Sequence, residues 1–127
     1  MKKTIILILS ALIVIFLTLA IIRFLNQQRE LFNLEIAEID FSEVADGIYQ
    51  GEYEVFPVSV VVNIAVFNGE ITEINILEHQ HGRGEAAEVI VDDIIEAQSL
   101  QVDTISGATS SSKVILKAIE SAILDLD

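Results

Sequence analysis

The 127-residue chain has no cysteine, a single proline, two histidines and only seven lysines and arginines. Without cysteine it can form neither a disulfide framework nor a lipid-anchored cysteine, and no zinc-ligand spacing is present. No glycine-rich dinucleotide fingerprint follows a strand pattern, and no motif marks a nucleophile beside its base. Basic residues are scarcest after residue 25, where Arg29, Arg83, Lys113 and Lys117 face all twenty acidic residues. Such a segment is repelled by nucleic acid and by anionic lipid headgroups.

Charge of either sign is absent from Thr4 to Ile22, a run of Leu, Ile, Val, Phe and Ala between Lys2-Lys3 and Arg23. At about 1.5 Å per residue it matches the roughly 30 Å hydrocarbon core of a bilayer. A signal peptide also has a basic start and an apolar run, but usually a shorter one with a small-residue cleavage site. Here the best such site is Thr18-Leu19-Ala20. The reading is a retained anchor over residues 1–25, meeting lipid through residues 4–25. Lys2 and Lys3 bias its N-terminus to the cytoplasm and the rest to the outside. Cleavage after Ala20 would give a secreted protein instead.

Residues 26–45 read as a charged, partly helical stalk without Gly or Pro. Asp46-Gly47 is a turn signal, and residues 46–127 read as the domain proper. Gly51, within "GIYQGEYEVF", marks a bulge, and Pro57 ends that run or opens the next strand. Asn68-Gly69 in "VSVVVNIAVFNGEITEINILE" is the preferred pair for a two-residue hairpin. Val58, Val60, Val62, Ile64 and Val66 alternate onto one face, and Thr72, Ile74 and Ile76 onto one face of the next strand. Helical spacing follows twice: Ala87, Ile90, Val91, Ile94 and Ile95, then Ile115, Ala118, Ile119, Ala122 and Ile123. The fold class is therefore α+β: an antiparallel meander of about three strands packed by two helices, preceded by one transmembrane helix.

The second helix follows "VDTISGATSSSK", which supplies five hydroxyls from Ser106 to Ser112. One hydroxyl suffices to cap a helix, and capping is the simplest reading. Lys113 and Lys117 lie in that helix, and a lysine near its start opposes the macrodipole unless an anion is bound. Hydroxyls, free N–H groups and lysines suit a phosphate; a capped helix with a solvated lysine face suits the same residues.

Asp103-Thr104-Ile105-Ser106-Gly107-Ala108-Thr109, followed by Ser111, resembles the flavinylation motif of the FMN-binding domain family. "DGIYQGEY", the hairpin, "GRGEAAEVI" and "QSLQVDTISGATSSSKVILKAIESAI" extend the resemblance across Asp46 to Leu124. The family includes flavin-carrying subunits of sodium-pumping NADH:quinone oxidoreductases and of related ferredoxin-dependent complexes. The resemblance implies FMN as cofactor, joined through its phosphate to Thr109 by a flavin transferase. It implies that Asp103, Ser106, Gly107 and Ala108 shape the loop and are what the transferase recognises; Ser110, Ser111 and Lys113, at the start of the helix, are read as further cofactor-binding residues. It also implies that His79 and His81, with Gly82 and Gly84 allowing close approach, line the flavin ring.

His79-Gln80-His81 with Glu78 and Glu85 is too generic for a metal site, and no catalytic residue is expected. Tyr49, Tyr53 and Phe56 could stack on a flavin ring, but packing on a strand face is the simpler reading. The function expected is an anchored extracytoplasmic electron carrier, whose partners are the transferase and a quinone reductase or flavoprotein. The alternative is an acidic interaction module of the same fold without flavin. The anchor reading predicts that the mature protein resists alkaline extraction from membranes and keeps residues 1–25 by intact mass. A mature chain beginning at Ile21 would refute it.

Overall fold

The structure, a computed structural model, describes residues 1–80 and 85–124. It divides into two compact units, Met1–Glu30 and Leu31–Asp127. Apart from Met1, the first lies within helix α1 (Lys2–Phe32), which is long and apolar enough to cross a membrane. A signal sequence would have the same character.

In the second unit β1 (Gly47–Val55), β2 (Val58–Phe67) and β3 (Glu70–Gln80) form an antiparallel sheet in the order β1-β2-β3. Two tight turns make it a meander. Phe56-Pro57 joins β1 to β2 through a cis peptide bond, and Asn68-Gly69 joins β2 to β3. Both residues of the second turn have positive φ, 54° and 77°, as a type I′ hairpin requires. Asp46 steadies this turn by accepting a 2.7 Å bond from the Asn68 N–H.

Strand β2 alternates as its sequence predicts, burying Val58, Val60, Val62, Ile64 and Val66. Strand β3 does not keep period two. Its pairing with β2 slips at two places, leaving Thr72 and Leu77 as extra residues. The inward series becomes Ile71, Ile74, Ile76 and His79, while Thr72 is exposed. Thr72 is therefore not on the inner face with Ile74. At the first slip the Gln98 side chain accepts from the Ile71 N–H and donates to the Ile71 C=O, at 2.7 and 2.9 Å. An amide thus pairs with the strand edge where no further strand does.

Helix α2 (Ile90–Ala97) is entered through a 3₁₀ turn at Glu85–Val89 and ends at Gln98, whose φ is 50°. Ala87, Ile90 and Ile94 from this stretch are buried. Helix α3 (Thr109–Leu124) lies across β1 and β2 and buries Ile115, Ala118, Ile119, Ala122 and Ile123. The α+β meander with two covering helices is the architecture its hydrophobic spacing predicts.

Gly51 is not a bulge; it pairs in regular register with Val62. A Cβ there would sit 2.1 Å from the Ala118 carbonyl oxygen and 2.5 Å from the Ala122 nitrogen. The backbone of α3 thus rests directly on β1, where any side chain would stand in its way.

Residues 33–40, read as part of a partly helical stalk, form an extended strap against this unit. Leu31 and Phe41 at its ends are buried, while Leu34, Ile36 and Ile39 pack on the core. Side chains replace the backbone bonds a helix would have made. Lys113 Nζ donates to the Leu34 C=O at 2.9 Å, Lys117 Nζ to the Glu35 C=O at 3.2 Å, and Gln101 Nε2 to the Ile36 C=O at 2.9 Å. Glu120 accepts from the Ala37 N–H at 2.8 Å and from Lys117 Nζ at 2.7 Å. At the end of the strap Asp40 accepts from the Ser42 hydroxyl and N–H, which holds its carboxyl below the usual range.

Replacing Gly51 by alanine should force α3 off the sheet and cost about 2 kcal/mol. In a unit of this size that is on the order of 10 °C of melting temperature. Thermal melts of the full chain in detergent check this; an unchanged midpoint would contradict the close packing.

Candidate functional site

The loop entering α3 is built from one turn and one buried hydroxyl. The Ala108 N–H donates to the Ile105 C=O at 2.9 Å, closing a turn over Ser106-Gly107. Gly107 has φ 79° at the third position, which a type II turn reserves for glycine. A Cβ on it would meet nothing within 4 Å, so backbone conformation rather than crowding demands glycine. The space beside the turn is open. Beneath it, Ser112 Oγ accepts from the Ile105 N–H at 3.0 Å and donates to the Ala108 C=O at 2.8 Å. Ser112 is fully buried and locks the turn to the helix. It is not among the sequence-derived candidates, although a Ser four residues after Ala108 has the spacing of a back-bonded helical hydroxyl.

Ser111 is held from the other side. The slip at Leu77 turns His79 inward, beside Val60 of the neighbouring strand. His79 Nδ1 lies 3.0 Å from Glu88 Oε1, and Nε2 lies 3.1 Å from Ser111 Oγ. A carboxylate only accepts, so Nδ1 carries its hydrogen toward Glu88. The result is a carboxylate–imidazole–hydroxyl series that the sequence does not announce, since its members come from three separate segments. Its order is that of a nucleophile with its base. But the His79 side chain is 2% exposed and Ser111 3%, which leaves a substrate no approach to that hydroxyl. The series ties β3, the 3₁₀ turn and the first turn of α3 together.

The remaining hydroxyls are not engaged. Among the described residues Ser106, Thr109 and Ser110 donate and accept no side-chain hydrogen bond. Ser106 stands exposed on the turn, while Thr109, the first residue of α3, and Ser110 are half-buried. The first N–H bonded within α3 is that of Ser112, to the Ala108 C=O at 2.9 Å. The amides of Thr109, Ser110 and Ser111 precede it, as at every helix start.

Residues 56–124 match the family model of the FMN-binding domain. The match spans more than half of the chain. This chain belongs to the FMN-binding domain family. A comparison with curated proteins finds no match.

The start of α3 has the features that suit a phosphate. An unpartnered Thr109 hydroxyl and free amides stand at a helix N-terminus, beside open space over Gly107. Ala108 is buried and sets the turn against the core, while Asp103 is exposed two residues before it begins. The structure does not bring Lys113 to the helix start: its ammonium reaches the strap carbonyl of Leu34. That bond also accounts for a lysine so near an N-terminus. Nor does it bring His79 to Thr109, since His79 bonds Ser111, about 200° of helical rotation away. Gly82, Gly84 and His81 lie outside the described residues.

Tyr49 packs on the core with its hydroxyl donated to the Ala45 C=O, and Tyr53 is half-buried beside Glu52 and Ser59. Phe56 is exposed at the β1–β2 turn. Among the described residues no group of three or more His, Cys, Asp or Glu side chains could hold a metal.

On the strap side of the loop lies a groove of about 540 Å³ between residues 34–36, residues 100–104 and α3.

Removing the imidazole from its two partners should cost about 1–3 kcal/mol, because Ser111 is left buried and unpaired. We expect His79→Ala to lower the melting temperature clearly and Glu88→Gln, which keeps an acceptor on the exposed side, to lower it little. Equal losses in the two variants would show that the imidazole is not what holds the series.

Proposed function

We propose that this FMN-binding domain is a membrane-anchored, extracytoplasmic electron carrier whose FMN is joined through its phosphate to Thr109. The observation that carries the reading is the division of the five hydroxyls. Ser111 and Ser112 are buried and spent on structural bonds, whereas Thr109 opens α3 with its hydroxyl unpartnered. The resemblance of the loop to a flavinylation motif selects the same residue.

Each neighbour then has a definite part. Ser112 holds the turn rigid, Gly107 gives it the conformation that keeps its outer side open, and the amides of Thr109, Ser110 and Ser111 face an ester phosphate. Asp103, Ser106 and Ala108 belong to the segment a flavin transferase would grip. Joining phosphate to hydroxyl in water requires an activated donor, such as a flavin dinucleotide. The Thr109 Oγ–P bond forms, the pyrophosphate P–O bond breaks, a nucleoside monophosphate leaves, and the hydroxyl proton goes to solvent. When bound, FMN supplies one- or two-electron transfer, and the protein positions it. Outside a cell free FMN is dilute, and a tether holds it at about millimolar effective concentration. An anchor at α1 would keep that carrier beside a membrane redox partner, either a quinone reductase or a flavoprotein.

The test is the intact mass of the full chain co-expressed with an exported flavin transferase. We expect a gain of one FMN less one water, lost in Thr109→Ala and kept in Ser110→Ala. No gain under conditions that modify a known acceptor would overturn the covalent reading. The domain would then act without covalent flavin, as a binding or interaction module.

A further inference from the structure

We infer that the outer face of the sheet docks a protein partner through a lysine- and arginine-rich face of that partner, an inference that does not depend on attachment at Thr109. A sheet has two faces, and α2 and α3 pack on only one of them. The inward residues of β2 are buried, while their alternates Ser59, Val61, Asn63 and Ala65 stay partly exposed although β2 is the central strand. Register sets these alternates in rows with residues of β1 and β3. Two of the rows are Glu52–Val61–Glu78 and Ile48–Ala65–Glu73, so carboxylates stand at the strand edges around apolar centres. Ile48, Phe67 and Leu77 are 75%, 65% and 50% exposed. Apolar side chains within a polar rim are the make-up of a protein interface.

Charge decides what that partner is. No lysine or arginine occurs between Gly47 and Gln80, while Glu52, Glu54, Glu70, Glu73 and Glu78 are exposed there. Among the described residues none of these carboxylates has an ion-pair partner, and only Glu73 accepts a hydrogen bond, from Asn75 at 2.9 Å. A second copy of the chain, an anionic lipid surface and a nucleic acid would each bring more negative charge to the face and be repelled. A basic protein surface complements it.

The shape of the face agrees. At one corner Glu52, Glu54, Ser59 and Tyr53 line a recess of about 250 Å³. Two carboxylates and a hydroxyl accept from a guanidinium or ammonium head, so the recess suits one projecting arginine or lysine. Strands of nine residues at about 3.4 Å each, three abreast at about 4.8 Å, give a footprint on the order of 400 Å². Complexes that form and part readily have contacts of this size. The face lies across the sheet from α3, so a partner docked there leaves the loop entering α3 open.

The test titrates the full chain, in a nonionic detergent at low ionic strength, with cytochrome c as a small protein bearing a lysine-rich face. Two triple variants remove the same charge from exposed positions. Glu52→Gln, Glu54→Gln and Glu78→Gln together act on the face, and Glu35→Gln, Glu38→Gln and Glu96→Gln together act away from it. We expect the first set to weaken binding about tenfold and the second less than about twofold. Methyl NMR of the native chain gives a reading independent of mutant folding: shifts are expected at Ile48, Val61 and Leu77 and not at Leu34 or Val102. Equal losses in the two triple variants would show that only net charge acts and would overturn the placement. Shifts at Leu34 and Val102 instead, or no binding by the native chain, would overturn it as well.

Discussion

Helix α3 touches β1 backbone to backbone, and the rest of the second unit is arranged around that contact. Gly51 provides no Cβ, and the Ala118 and Ala122 peptides occupy the space one would need. Seated so low, α3 buries residues around most of its circumference, including Val114 and Leu116 as well as the sheet-facing isoleucines and alanines. A helix packed this way needs a second cover on the side away from the sheet. The strap of residues 33–40 supplies it, held by polar side chains of α3 itself and by Gln101. Helix α3 is thus covered by the sheet on one side and by the strap on the other.

The same seating explains how a run of similar residues takes on different tasks. Successive residues of a helix start point about 100° apart, so Thr109, Ser110, Ser111 and Ser112 cannot share an environment. Ser112 falls under the turn and Ser111 against His79, where burial makes a hydrogen bond obligatory. Thr109 is half-buried at the first position of α3, where no side-chain hydrogen bond claims its hydroxyl. Chemical identity within the cluster is nearly uniform; the angle about the helix axis is what separates structural hydroxyls from an available one.

The β-bulge at Leu77 has a comparable consequence on the sheet. Strict alternation from Ile76 would bring Glu78 inward and leave His79 in solvent. The extra residue reverses this and sends the imidazole to Glu88 and Ser111. An acidic residue is thereby kept out of the core of a strongly acidic domain, and the first turn of α3 gains its tie to β3.

Much of this protein was legible in its residues. The uncharged run of α1, the alternation of β2, the Asn68-Gly69 turn and the 3.6-residue spacing of α2 and α3 are local signals, each set by the chain's own periodicity or turn chemistry. So is the Ser-Gly-Ala-Thr series that resembles a flavinylation motif and falls within residues matched by the family. What only tertiary structure decided is which side each residue of an ambiguous pattern faces. Thr72 gave way to Ile71, Gly51 proved a contact rather than a bulge, and Lys113 and Lys117 turned to strap carbonyls that lie about eighty residues earlier in the chain. Those outcomes depend on bulges and on long-range partners, and neither leaves a period for the sequence to carry.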